Sequence, residues 1–190
     1  VNFKLKIFIY LDFIGGMPFV KEGSESDPLI ASLYDEINEE LQIGKIPNIL
    51  KTTSIDPQIA KWFWDGVKII LLRESTIPRI LKESIAVVVS NANSCEYCTQ
   101  AHGTLLKFLG FTDEQITDLT NNFEKFSDKE KAALNFALKI NAAAYKTTSD
   151  DHKILKDFGY DDKQIVEITS VVAAFNWANI VADALGTELE

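Results

Sequence analysis

The sequence is poor in cysteine, in positive charge and in long apolar runs, and each shortage excludes a class of protein. Its only two cysteines stand in a C-x-x-C pattern, which favours a catalytic pair in a reducing, cytoplasmic compartment over the disulfide framework of a secreted domain. Nineteen Lys and Arg against 28 Asp and Glu give a net charge of −9, which argues against nucleic acid and anionic membrane as partners. No run of eighteen or more apolar residues is present, so the sequence predicts no membrane span.

The length and composition predict one domain. A chain of 190 residues that is 46% hydrophobic can bury a sizeable core. Residues 1–16 differ from the rest, because two lysines precede an apolar run that Asp12 interrupts and that also alternates like a strand. We therefore expect an N-terminal extension of uncertain structure at 1–16 and a single all-α domain at 17–190.

Helix start signals recur along the chain from Asp27 onward. An aspartate followed by proline occurs at Asp27 and again at Asp56, a pair typical of an N-cap and a first helical residue. Two capping boxes follow, T-D-E-Q from Thr112 and S-D-K-E from Ser127. No convincing strand pattern interrupts them, so the fold class is predicted to be all-α.

The last helix is predicted to run from about Asp162 to Gly186. It is apolar nearly all round, which is typical of a buried central helix or of a subunit interface.

A weak internal repeat relates two segments. L-K-F-L-G-F-T-D-E-Q-I at 106–116 matches L-K-D-F-G-Y-D-D-K-Q-I at 155–165. The match indicates either a duplicated helical unit or only shared helix–turn–helix chemistry. Ala144 occupies the position in the second segment that Cys95 has in the first, so only one copy carries the chemistry.

The most informative stretch is the segment 83–102, which holds both cysteines and one of the two histidines. With Ser94 as the expected N-cap, a helix ending at Gly110 would place Cys95, Cys98 and His102 on one face. The positive end of the helix dipole favours a thiolate at Cys95, and the nearby imidazole favours one at Cys98. Thiols one turn apart can also close a disulfide.

Glu83 is the fourth member of this predicted site. It belongs to the preceding helix, which should begin near Pro78 and end at about Asn91, and it lies beside the apolar stripe. A carboxylate in such a place needs a partner or a function. The short N-A-N-S link would fold the two helices together, so Glu83 could reach the thiol and imidazole groups and relay a proton.

The pattern E-x11-C-x-x-C-x3-H resembles the motif of the alkylhydroperoxidase D-like proteins of the carboxymuconolactone decarboxylase superfamily, in their peroxidase-related branch. The similarity extends over M-P-F-V, L-Y-D-E-I and I-P-N-I near the N-terminus and F-N-W-A-N-I-V-A-D-A-L-G near the end. One position departs from it, since well-characterised members carry histidine between the cysteines and this chain has Tyr97.

The resemblance implies a thiol-dependent hydroperoxide reductase that serves antioxidant defence. Cys98 would react with the peroxide and Cys95 would resolve the product to a disulfide, with His102 and Glu83 as base and proton relay. The resemblance also implies a lipoyl-bearing or thioredoxin-like dithiol reductant, no bound cofactor or metal, and a homo-trimer or homo-hexamer.

Several other interpretations of the same residues stay open at this point. The cysteines could be inert core residues, or Glu83, Cys95, Cys98 and His102 could bind zinc. A redox sensor or disulfide reductase would use the dithiol without peroxidase turnover. A decarboxylase of the same superfamily would not need the dithiol. From the residues alone, the dipole argument favours Cys95 as the first nucleophile and the imidazole favours Cys98.

Overall fold

The computed structural model describes residues 18–190, so the expected extension at 1–16 lies outside the described residues. Within 18–190 the chain forms nine α-helices and no strand, which confirms the all-α fold class. We label them α1 to α9 in chain order. Their bounds are Pro28–Leu41, Asn48–Thr53, Pro57–Val67, Arg79–Ala92, Glu96–Phe108, Asp113–Asn121, Asp128–Ala143, Ser149–Asp157 and Asp162–Leu185. A π-helical segment, Lys68–Leu72, extends α3, and a short 3-10 turn, Ala144–Lys146, follows α7.

The predicted helix starts are confirmed by their capping geometry. Asp27 accepts a hydrogen bond from the backbone N–H of Leu29, and Asp56 caps α3 in the same way. Thr112 and Ser127 both form complete capping boxes. These local signals are short-range in sequence, so neighbouring residues alone are enough to specify them.

The most deeply buried helix is α4, whereas α9, which the sequence predicts to be a buried central helix or a subunit interface, is buried on one face only. Every residue from Leu81 to Ser90 is buried, because α5, α6, α7 and α9 all pack around α4. This burial includes the ammonium group of Lys82, whose Nζ donates to the backbone oxygen of Arg73 at 2.9 Å.

One face of α9 packs against the helices around α4, and its other face is open. Val166 and Ile180 are 64% and 67% exposed, although both are apolar. Among the described residues, α9 is also the one helix long and apolar enough to cross a membrane by length and composition. Its packing against α4, α5 and α7 makes it a core helix of this fold.

The buried apolar residues form two clusters, and the dithiol belongs to the second. The larger cluster fills the space between α4, α6, α7 and α9. The smaller one joins α1, α2 and α3 to the start of α5 and the end of α9, and it includes Cys95, Tyr97 and Cys98. The two cysteines therefore lie where the N-terminal helices close over the central bundle.

The repeated segments adopt the same structure. Gly110 and Gly159 both have a positive φ, 102° and 81°, and both end a helix in the same pattern of backbone hydrogen bonds. In each case a new helix then begins with a complete capping box. The match thus extends from sequence to a pair of equivalent helix–turn–helix units.

Candidate active site

The turn between α4 and α5 places the cysteines, and it differs from the sequence prediction. Ser94 is not the N-cap: it has a φ of 61°, and Cys95 takes the N-cap position. Left-handed backbone is unusual for serine, but here it reverses the chain so that the N–H of Cys95 bonds to the carbonyl of Ser90 at 3.0 Å. The turn therefore fixes Cys95 directly against the end of α4.

Both cysteines are free thiols and both are buried, at 0% and 2% exposure. The thiol of Cys95 donates a hydrogen bond to Cys98, and this bond, with the nearby His102 and Asn179, holds the pKa of Cys98 below its ordinary value against the effect of burial. The same hydrogen bond and burial raise the pKa of Cys95. Cys98 is thus the more acidic thiol of the pair, and Cys95 is the less acidic one.

Glu83 and His102 form a buried ion pair. Nδ1 of His102 lies 2.6 Å from Oε2 of Glu83, whose side chain is fully buried. Burial favours the neutral forms of both groups, yet the attraction between them prevails, so the pKa of Glu83 is lowered and that of His102 is raised. Because Glu83 occupies Nδ1, the other ring nitrogen, Nε2, is the one available for exchange of a proton.

Arg79 is a third member of this group, because it bonds to the other carboxylate oxygen of Glu83. The sequence analysis did not predict it as a site residue. Its Nε donates to Oε1 of Glu83 at 2.5 Å, one helical turn away on α4. The ring of Phe175 in α9 meets the imidazole edge to face, with centroids 4.6 Å apart. The i, i+4 spacing of Arg79 and Glu83 was the available signal, whereas no local pattern indicates Phe175.

The hydroxyl group of Tyr97, the residue between the cysteines, bonds to α2 and to the C-terminal segment and to neither Glu83 nor His102. Its hydroxyl accepts a hydrogen bond from the N–H of Ile49 at 3.1 Å and donates one to Glu190 at 2.6 Å. Burial, followed by the charge of Glu190, raises the pKa of Tyr97. The side chain therefore joins α5 to α2 and to the C-terminal segment, and it cannot replace the histidine of the family motif as a proton carrier.

A polar groove of about 380 Å³ leads to the dithiol. Its lining consists of Asn91, Ser94, Cys95, Glu96, Thr99 and Gln100. Cys95 is one of the residues that border the groove, whereas Cys98 is not among them. Neither residue is more than 2% exposed, so both sulfurs lie beneath the surface next to the groove.

The zinc interpretation has no support in the described part of the chain. No group of three or more His, Cys, Asp or Glu side chains in residues 18–190 is arranged to hold a metal ion. Glu83 directs one carboxylate oxygen to His102 and the other to Arg79. The structure thus brings the four predicted residues together in two contacting pairs, Glu83 with His102 and Cys95 with Cys98.

Comparison with solved structures identifies the fold of the chain. An uncharacterised peroxidase-related protein of Ralstonia eutropha with an alkylhydroperoxidase core superposes with a TM-score of 0.85 at 23% identity, over 93% of this chain and 94% of that one. A second peroxidase-related protein, from Silicibacter, gives 0.79 at 28% identity, over 86% and 87% of the two chains. The fold is therefore the all-α, alkylhydroperoxidase D-like fold.

Sequence comparison finds a match to a protein family over part of the chain. The model of the carboxymuconolactone decarboxylase family matches residues 57–139, which include the whole candidate site. An uncharacterised protein of Bacillus subtilis is 28% identical, over 64% of this chain and 88% of its own length. An alkyl hydroperoxide reductase of Mycobacterium tuberculosis is 32% identical, over 44% of this chain but only 24% of its own length. The matched segment, residues 57–139, is thus similar to the carboxymuconolactone decarboxylase family, and the chain as a whole has the alkylhydroperoxidase D-like fold.

Proposed function

We propose that the protein is a thiol-dependent hydroperoxide reductase in which Cys98 is the peroxide-reactive thiolate. The observation that carries the proposal is the position of a lowered-pKa thiol, Cys98, between a protonated donor thiol and a buried His102–Glu83 ion pair. A nucleophile beside an imidazole that a carboxylate orients is an arrangement suited to covalent catalysis with proton transfer. The peroxidase-related names of several similar proteins agree with this chemistry.

The first step oxidises Cys98. Its thiolate attacks the terminal oxygen of the hydroperoxide, so a sulfur–oxygen bond forms while the oxygen–oxygen bond breaks. The alkoxide that leaves takes a proton from the imidazolium of His102 and departs as an alcohol, and Cys98 becomes a sulfenic acid. Glu83 stabilises the imidazolium before the step and holds the ring in place after it.

The second step closes the disulfide. The sulfur of Cys95 attacks the sulfur of the Cys98 sulfenic acid, and the proton of Cys95 leaves with the hydroxyl group as water. The thiol of Cys95 already points to Cys98, so only a small displacement is needed.

An external dithiol then regenerates the pair by two exchange reactions. Its first thiolate attacks Cys95, because Cys95 borders the groove and because the lowered pKa of Cys98 makes that sulfur the better leaving group. Its second thiol releases Cys95, and the two protons gained return to Cys95 and His102. We propose a lipoyl-bearing or thioredoxin-like reductant and a cytoplasmic, reducing setting.

A homo-oligomer belongs to the same proposal. Ile59, Trp62 and Ile69 lie along α3 and its π-helical extension, and all three are large apolar residues that are about half exposed or more. Such a patch is typical of a surface that another subunit covers. Multi-angle light scattering of the purified protein measures the subunit number.

The decisive experiment combines thiol titration with intact mass before and after one equivalent of an organic hydroperoxide. Both thiols should disappear together with the loss of two hydrogens, and a dithiol should restore them. Cys98→Ser should abolish hydroperoxide reduction and leave the helical circular dichroism unchanged. Undiminished turnover in that variant would refute the assignment.

The same assay separates the proposal from a redox sensor or a simple disulfide reductase. A sensor consumes one equivalent of peroxide per dithiol and stops, while an enzyme consumes many equivalents when a dithiol donor is present. A disulfide reductase turns over with a disulfide substrate but shows no hydroperoxide-dependent oxidation of the donor.

A further inference from the structure

Asn179 of α9 is a buried polar residue that the mechanism above does not use. It is 2% exposed. Its Nδ2 donates to Oγ of Ser90 at 2.9 Å, and its Oδ1 accepts from Nδ2 of Asn93 at 2.9 Å. Its neighbours Ala178 and Ala182 pack in the cluster that contains the two cysteines. Asn179 therefore faces the dithiol from the helix opposite α5.

Four asparagine side chains, the last of which is Asn179, are linked by hydrogen bonds between their amide groups. The donor and acceptor roles along this chain are set at Asn176, the end farthest from Asn179. Nδ2 of Asn176 donates to the carbonyl of Val172 at 3.0 Å, and a backbone carbonyl can only accept. Nδ2 of Asn176 also donates to Oδ1 of Asn141 at 2.7 Å, and Nδ2 of Asn141 donates to Oδ1 of Asn93 at 2.8 Å. Asn93 then donates to Asn179. Each amide thus fixes the orientation of the next. Because the oxygen of Asn179 faces Asn93, its NH₂ group must face the opposite side, where Ser90 lies.

The NH₂ group of Asn179 has two hydrogens, and Ser90 accepts one of them. The second is left for the side of the residue where Cys98 lies, and the nearby Asn179 side chain lowers the pKa of that thiol. A reversed amide would turn its oxygen to the sulfur and favour the thiol instead. The amide chain therefore decides the sign of the contribution that Asn179 makes.

We propose that Asn179 stabilises the thiolate of Cys98 by hydrogen bonding and that the Asn176–Asn141–Asn93 chain holds its amide in the donating orientation. The effect on Cys98 is a property of the free protein. Its consequence for turnover rests on the function proposed above.

Other titratable groups also face Cys98, and apart from Cys95, which is serine in every protein compared, they stay unchanged in the experiment. They are Cys95, Tyr97 and His102 of α5 and Asp183 of α9, while Glu83 and Arg79 of α4 lie behind His102. To isolate Cys98, the measurement uses Cys95→Ser as the background, so that only one thiol reacts. The serine hydroxyl can still donate to Cys98 in place of the thiol.

The test is the pH dependence of the rate at which iodoacetamide alkylates Cys98. Asn179→Ala should raise the apparent pKa of Cys98 by about one unit, which lowers the alkylation rate about tenfold at pH values below the pKa. Asn179→Asp should raise it further, because a carboxylate beside the sulfur opposes the thiolate. Ser84→Ala is the matched control, since Ser84 is also buried but bonds only to its own helix, at Ile80.

Two further variants keep the test decisive if the Asn179 variants do not fold. Ser90→Ala removes the hydroxyl group that accepts from the amide of Asn179, and Asn176→Ala removes the residue that sets the direction of the amide chain. Both variants should raise the apparent pKa of Cys98 by less than Asn179→Ala does. Unshifted profiles in folded variants would overturn the proposal even if hydroperoxide turnover is confirmed. Shifted profiles without any hydroperoxide turnover in the unsubstituted protein would support it and refute the proposed function instead.

Discussion

Replacing Glu83 with glutamine removes one negative charge and preserves the shape of the side chain. The carboxylate bonds to Nδ1 of His102 at 2.6 Å and to Nε of Arg79 at 2.5 Å, and it has no exposed surface. Glutamine has a single oxygen, so it can satisfy only one of these two donors. The other donor is left without a hydrogen-bond partner, and the positive charges of Arg79 and His102 are no longer balanced by a negative charge.

The consequence for the dithiol follows from the pKa of His102. Burial lowers that pKa, Arg79 lowers it too, and the charge of Glu83 is the main effect that raises it. In Glu83→Gln the imidazole should therefore be neutral near pH 7. Cys98 then loses one of the interactions that lower its pKa. A rise of about one unit reduces the thiolate fraction about tenfold below the pKa.

Two probes distinguish the loss of thiolate from the loss of the proton donor. Alkylation by iodoacetamide needs only the thiolate, so we expect its rate near neutral pH to fall about tenfold. Reduction of a hydroperoxide also needs a proton for the leaving alkoxide, and positioned acid catalysis contributes roughly 10²- to 10⁴-fold. The hydroperoxide rate should thus fall by at least about tenfold more than the alkylation rate does.

The same substitution should change the pH dependence of stability. The pKa of Glu83 is lowered, so its contribution to stability is present above its unfolded pKa and is lost as the pH falls through the folded value. The pKa of His102 is raised, so its contribution is present below its unfolded pKa and is lost as the pH rises through the folded value. Removing one partner of a buried pair costs about 3–5 kcal/mol, and the oxygen of glutamine offsets part of this.

Urea unfolding across the pH range and stopped-flow alkylation measure both effects. The stability difference from the unsubstituted protein should be largest between the unfolded pKa values of Glu83 and His102, and it should fall as the pH moves from there through the folded pKa of either group. Glu167→Gln is a suitable control, because that carboxylate accepts hydrogen bonds from Thr76 and Ile77 before α4 and does not touch the dithiol. An unaltered pH–rate profile in Glu83→Gln would remove Glu83 from the proton relay.

Two other substitutions test separate parts of the site. In Cys95→Ser we expect one equivalent of hydroperoxide to add a single oxygen to Cys98, without a disulfide and without turnover, as intact mass and dimedone labelling would reveal; a mass loss of two hydrogens would contradict this. Tyr97→Phe leaves the buried N–H of Ile49 without its partner, which costs about 1–3 kcal/mol and should lower the melting temperature by roughly 2–10 °C. Its hydroperoxide turnover should change less than threefold, and a large loss would show that Tyr97 takes part in proton transfer.

The parts of the structure that the sequence predicted correctly are those with short-range causes. Helix caps such as Asp27 and Thr112 depend on residues two or three positions apart, and their geometry is confirmed. The spacing of Glu83, Cys95, Cys98 and His102 likewise rests on two helices joined by a short turn, which leaves little freedom for the relative placement of their faces. The chemical roles of these four residues stay predictions until the variants are measured.

The failures have long-range causes. Ser94 resembles an N-cap locally, but the side chain of Asn93 bonds to Asn141 and Asn179 on other helices, and Ser94 has a positive φ in the same turn. The sequence did not indicate the central position of α4, because Lys82, Glu83 and Ser90 are polar. Each of them forms its hydrogen bond with a residue outside α4 that is brought close only by folding. Asn179 was missed as a site residue for a similar reason, whereas the i, i+4 spacing of Arg79 and Glu83 was a local signal that the sequence analysis did not use.

The two copies of the repeat differ most at the dithiol, and the difference has a structural cause. The helices α6, α7 and α9 each begin with a complete capping box, and α8 begins at Thr148, whose N–H and hydroxyl both donate to Asp151. In contrast, α5 begins at Cys95, which makes no side-chain cap. A serine or threonine cap stabilises a helix by about 1 kcal/mol. Helix α5, which carries both cysteines, therefore lacks the side-chain cap that α8 has at Thr148, and its N-cap position holds the thiol that lies against Cys98 and borders the groove.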